Sequence, residues 1–193
     1  MPRAATQLTE DEGTFLALLI RVQPATAYQL SKIYAESPVS NYGTSKGKIY
    51  PLIRRLGERG LLKSRPVEGD ARGSERLECT ARGREALRGW VKDIRPGYLL
   101  LEDPLRTMVQ SFDVLTPDEQ AEWIERTRSA LQHKLEELEA YGSAVFVPHK
   151  DAVHDNAVSS LRTRLAWLDR LEDSLRRERR SAGPRRSTRA ASH

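Results

Sequence analysis

Read as a pattern of apolar and polar positions, the first half of the chain is a series of short helices separated by turn-forming residues. Thr9 and Glu12 have the spacing of a capping box, and Phe15, Leu16, Leu18, Leu19 and Val22 then give a first helix one apolar face. Gln23-Pro24 ends it. Thr26 and Gln29 repeat the cap, and Ala27, Leu30, Ile33 and Tyr34 line a second helix. Residues 37–44, SPVSNYGT, are turn formers. In residues 45–59, SKGKIYPLIRRLGER, the stripe Ile49, Leu52, Ile53, Leu56 follows the i, i+3, i+4, i+7 rule for a third helix. Its opposite arc carries Gly47, Lys48, Tyr50, Pro51, Arg54 and Arg55. Pro51 lies near the helix start, where its ring faces the carbonyl of Gly47, and a bend is expected there.

After Gly60 the period changes. Residues 61–66 and 74–79 read as two strands joined by VEGDARG, a β-hairpin with a basic, glycine-bearing tip. Thr80 then caps a fourth helix with Ala86, Leu87, Trp90 and Val91 as its apolar positions. Residues 94–104 read as a hinge, 105–112 as a short apolar helix, and Thr116-Pro117-Asp118-Glu119 as the start of a long one. In that helix Ile124, Leu131, Leu135 and Leu138 form a stripe beside Trp123. From Val153 a last helix repeats the theme with Val158, Leu161, Leu165, Leu168, Leu171 and Leu175. Two long helices with leucine seams leave apolar surface to cover, and pairing with a second copy is the economical solution.

The expected fold is therefore mainly α with a small β-hairpin wing. A winged helix-turn-helix occupies residues 1–93, a helical dimerisation region 94–180, and a basic tail, read as disordered, 181–193.

Charge sharpens this reading. The net +5 over 193 residues hides a strong asymmetry: residues 44–76 hold nine basic and four acidic side chains, residues 176–193 seven and one, and residues 94–175 nine and fifteen. Cation thus collects on the third helix, the hairpin and the tail, and the acidic stretch is not expected to touch a polyanion. One cysteine, Cys79, excludes an internal disulfide framework and a Cys-based zinc site. The N-terminus has no apolar signal region and no run is long enough to span a bilayer, so a cytoplasmic protein is expected.

AYQL at 27–30, S-x-GKIYPLIRRLGERGLL at 45–62 and a hairpin closing on Thr80-Ala-Arg-Gly83 together resemble the winged-helix domain of PadR-type transcriptional regulators. The chain departs from that pattern at Lys48, where the family usually has Thr, at Ala27, where Gly is common, and at Arg76-Leu77, where aromatic residues are typical. The resemblance implies a homodimeric repressor of a palindromic operator with a helical C-terminal region of the longer subtype. It also implies that a small ligand alters DNA binding in some members.

On this reading Lys48, Tyr50 and Arg54 lie nearest the bases and Ser45, Lys46 and Arg55 nearest phosphates, with Lys63, Arg72 and Arg76 offered by the wing. Trp90, Tyr98, Trp123 and Trp167 are the candidates for a pocket taking a flat aromatic effector; core or dimer packing is the open alternative. No cofactor, metal or catalytic residue is expected: the histidines lack ligand spacing, and no nucleophile elbow, P-loop or G-x-G-x-x-G is present. The competing non-enzyme readings are a winged-helix protein-interaction module and a nonspecific architectural DNA binder driven by the tail.

Overall fold

The computed structural model describes residues 7–37, 46–69, 73–100, 102–142 and 145–182. Two compact units result. The first holds α1 (Glu10–Val22), β1 (Ala25–Thr26), α2 (Ala27–Glu36), α3 (Lys46–Glu58), β2 (Leu62–Pro66), β3 (Glu75–Cys79), α4 (Ala81–Lys92) and the single turn α5 (Pro96–Leu99). The second holds α6 (Pro104–Val109), a 3-10 turn Phe112–Val114, α7 (Pro117–Ala140) and α8 (Lys150–Ala182).

In the first unit both expected capping boxes are formed. The Glu12 N–H donates to Thr9 Oγ1 at 3.2 Å while the Thr9 N–H donates to Glu12 Oε2 at 3.0 Å, and Thr26 and Gln29 exchange the same pair. The apolar stripes meet in one core: Phe15, Leu16 and Leu19 of α1, Leu30 and Tyr34 of α2, Ile49, Leu52 and Leu56 of α3, and Leu61, Leu62 and Leu77 beneath them are all buried. Each such side chain contributes about 1.5–3 kcal/mol by leaving water. The Tyr34 hydroxyl donates to the Thr14 carbonyl at 3.2 Å, which satisfies the one polar atom that its burial brings inside.

Three strands form the sheet, in the order β1-β3-β2 and antiparallel throughout. The pattern of the sequence predicts only the hairpin. Ala25–Thr26 is too short for an alternating signal, and its second residue also serves as the α2 cap, so the added strand has no period of its own. Val91 is a second correction: expected on the apolar face of α4, it is 67% exposed. The expected hinge contains the helical turn α5, and the first compact unit runs to Glu102 and also takes in Tyr141–Lys150.

In the second unit Ile124, Leu131 and Leu138, spaced by seven, are the buried positions of α7, and Val158 and Leu168 those of α8. The expected helix over 105–112 ends earlier, at Val109, and Phe112 starts the 3-10 turn that sets its ring edge-on to Trp123 at 5.0 Å. Arg128 of α7 is bonded to both Asp169 and Glu172 of α8 and joins the two long helices. The last helix begins at Lys150 and runs to Ala182, two residues into the expected tail; residues 183–193 lie outside the described ones. Among the described residues no helix is long and apolar enough to cross a membrane.

Candidate nucleic-acid interface

The third helix owes its exposed basic face to what its other side buries. With Ile49, Leu52 and Leu56 in the core, Lys48, Tyr50, Arg54 and Arg55 are left in solvent, and Tyr50 is 54% exposed although aromatic. Pro51 sits inside α3 without ending it. The C-terminus closes with Gly60 at φ +67: the Gly60 N–H donates to the Gly57 carbonyl at 2.8 Å and the Leu61 N–H to that of Leu56 at 2.9 Å, a Schellman stop that only glycine enters without strain.

One buried carboxylate ties the end of this helix to α1. Glu12, 4% exposed, accepts Arg59 Nη1–H at 2.8 Å and lies 3.8 Å from Arg55 Nε. Arg59 also donates to the Gln7 carbonyl at 3.1 Å. Burial works to raise the Glu12 pKa, but the Thr9 N–H and the two guanidiniums outweigh it, and the group stays below the ordinary carboxylate value. It is charged at neutral pH and pins the end of α3 to the start of α1.

The expected contact residues are distributed as follows. Lys48, Tyr50, Arg54 and Arg55 share the exposed arc of α3, Arg54 only 3.7 Å from Glu58 in a solvated pair of little strength. Lys46 opens the helix, while Ser45 and Arg72 lie outside the described residues. On the wing, Lys63 is held by Glu78 at 2.9 Å, and that bond draws the Glu78 carboxyl below its usual range. Arg76 is exposed on β3, opposite Arg65 of β2. Tyr28, in the first turn of α2, is 71% exposed although aromatic, and it is not among the expected contact residues. In the sequence its exposure is signalled by its position outside the Ala27, Leu30, Ile33, Tyr34 stripe.

The four aromatic candidates separate into two pairs. In the first unit Trp90 packs against Gly13, where an added Cβ would come 2.4 Å from the indole, and its buried Nε1 finds no hydrogen-bond partner among the described residues. Tyr98 lies beneath Arg95, 5.8 Å from the ring centre. In the second unit Trp123 borders an open cleft of about 550 Å³ with Leu105, Leu131 and Leu161 as apolar wall and Arg126, Lys134 and Arg164 as cationic rim. Trp167 is half-buried and does not line that cleft. Cys79 is a free, buried thiol whose pKa burial pushes up, so it packs and does not react.

No protein-family model and no curated protein matches the chain. Solved structures do. Bacillus subtilis PadR in complex with operator DNA matches at a TM-score of 0.67 and 16% identity, over 84% of this chain and 98% of its own. The chain has the PadR fold. The same Bacillus subtilis protein in complex with p-coumaric acid matches at 0.65 and 16% identity, over 85% and 97%. A PadR-like transcriptional regulator from Bacillus cereus matches at 0.65 and 17%, over 89% and 99%. Near-complete coverage of each relative means that the PadR fold here includes the long C-terminal helices as well as the winged helix.

Proposed function

We propose that the protein is a DNA-binding transcriptional regulator, a cytoplasmic homodimer that represses by occupying a palindromic operator. The observation that carries this reading is the exposed arc of α3, where Lys48, Tyr50, Arg54 and Arg55 stand together over a core-anchored helix in a fold that one relative uses on operator DNA. A helix of this kind enters the major groove, where arginine reads guanine by two parallel hydrogen bonds and lysine neutralises phosphate. Arg54, free of any buried partner, has the reach for bases. Arg55, tied back toward Glu12, has less freedom and suits the backbone. Twofold symmetry sets the half-sites about one helical turn, ~34 Å, or a multiple apart.

Footprinting on DNA upstream of the protein's own gene tests this. Two protected patches with that spacing and related by a dyad support the reading; a featureless pattern at every concentration contradicts it. Arg54→Ala is expected to weaken operator binding by about 1–3 kcal/mol and to relax preference at one base pair. A loss equal across all sequences assigns Arg54 to phosphate instead.

An effector is part of the same proposal. The Trp123 cleft offers an apolar, aromatic wall suited to a flat aromatic ring, and the cations at its rim, Arg126, Lys134 and Arg164, each hold a carboxylate that an aromatic acid would have to displace. The Bacillus subtilis relative was solved with p-coumaric acid, which is such a molecule. Titration with p-coumaric acid is expected to quench tryptophan emission saturably in the wild type and not in Trp123→Phe. An identical response in both proteins removes Trp123 from the site.

A further inference from the structure

The wing contains a juxtaposition that stability alone does not account for. In the antiparallel register of β2 and β3, Lys63 faces Glu78 and Ser64 faces Leu77, and the next rung sets Arg65 directly opposite Arg76. Cross-strand partners have Cβ atoms about 5 Å apart, a separation at which like charges repel. Alternation puts Arg65 and Arg76 on the solvent side of the sheet, since Leu62, Leu77 and Cys79 are the buried residues of these strands. Both arginines are exposed, and neither has an ion-pair partner among the described residues. Glu78, on the same face, is held first by Lys63 at 2.9 Å and feels Arg65 only as a weaker charge. The hairpin thus resolves one cation–anion rung and leaves the rung nearer its tip doubly positive.

We infer that Arg65 and Arg76 form a two-arginine clamp for a single phosphodiester group of the nucleic-acid backbone. Two guanidiniums on facing positions of paired strands lie close enough to share one ligand, and a phosphate has the several acceptor oxygens needed to bridge both. Its negative charge converts the mutual repulsion of the pair into attraction to a common ligand. Lys63 is excluded from the clamp by its bond to Glu78, so Arg65, and not the Lys63 expected from composition, is the phosphate ligand on the first strand. The clamp rests on the DNA-binding reading, but it reads backbone and not sequence, so its test does not need an operator.

The test therefore uses a random-sequence duplex of about 25 base pairs, titrated with wild type, Arg65→Gln, Arg76→Gln and the double variant across about 50 to 200 mM salt, together with thermal melts of the free proteins. Each single substitution is expected to weaken binding about five- to tenfold. The double variant should lower the magnitude of the log–log salt slope by about 1, the value for one phosphate, rather than by 2. The free variants should melt at higher temperature than the wild type, because the repulsion is gone. Unchanged duplex binding in the double variant, or lowered melting temperatures in the free singles, overturns the clamp. Failure of the wild type to prefer any operator, with the clamp variants still weakened on random DNA, counts against sequence-specific regulation and leaves the clamp standing.

Discussion

Glu12 shows how much a single side chain can organise. Its carboxylate closes the α1 capping box and also receives Arg59 at 2.8 Å, so one buried charge links the start of α1 to the end of α3. Glu12→Gln keeps an acceptor for the Thr9 N–H but leaves two guanidiniums without their counter-charge, and a loss of about 2 kcal/mol of folding stability is expected. The pH dependence follows from the lowered pKa. Because the folded-state value lies below the ordinary 4.5, the stabilisation is fully present above that value and is lost as pH falls through the lower folded one. Melting curves of wild type and variant should therefore lie apart at neutral pH and converge in acid; parallel curves throughout would falsify the assignment. The capping box was legible in the sequence because its partners stand three residues apart. The Arg59 grip was not, since its partners are 47 residues apart and no local period connects them.

At the level of elements, the junction of α3, β2 and α4 carries the wing, and Gly83 is its tightest point. The Thr80 hydroxyl caps α4 by accepting the Gly83 N–H at 3.0 Å and donates to the Gly60 carbonyl at 2.8 Å, which brings the helix start against the strand. An added Cβ at Gly83 would lie 2.0 Å from the Leu61 carbonyl oxygen. Gly83→Ala, a favourable change in an open helix, is here expected to cost about 2 kcal/mol and to shift the wing, lowering both the melting temperature and DNA affinity. Gly89, with nothing within 4 Å of an added Cβ, is the control, and Gly89→Ala should be neutral or stabilising. The helices and the hairpin were readable from period and caps because each has a repeating local signal. What escaped was set by tertiary contact: β1, two residues long, exists through its pairing with β3, and Val91 is solvent-facing although its spacing suits the core. The basic arc of α3 was legible from charge and period together. The division of labour on the wing was not, because strand register decides that Lys63 meets Glu78 while Arg65 meets Arg76.

For the whole molecule, apolar exposure and charge point to partners. Val91, Ile94, Leu99 and Leu100 in the first unit and Met108, Val114 and Val153 in the second are each more than half exposed, apolar surface that pairing with a second copy would cover. Sedimentation is expected to give twice the 21.9 kDa chain mass, and a monomer at micromolar concentration contradicts the dimer. Symmetry would then duplicate the basic arc of α3 and the Arg65–Arg76 rung, which is what a palindromic duplex requires. The most direct test of the central claim is binding of the purified protein to DNA upstream of its own gene against a scrambled duplex of equal length, at about 50 and 200 mM salt. About six phosphate contacts give both duplexes a log–log slope near −5, so specificity appears only as the gap between them. A preference of about 10³ or more that persists at the higher salt is the predicted result. Equal binding to both duplexes that vanishes at the higher salt would contradict a sequence-specific regulator of its own gene and leave a nonspecific, charge-driven DNA binder.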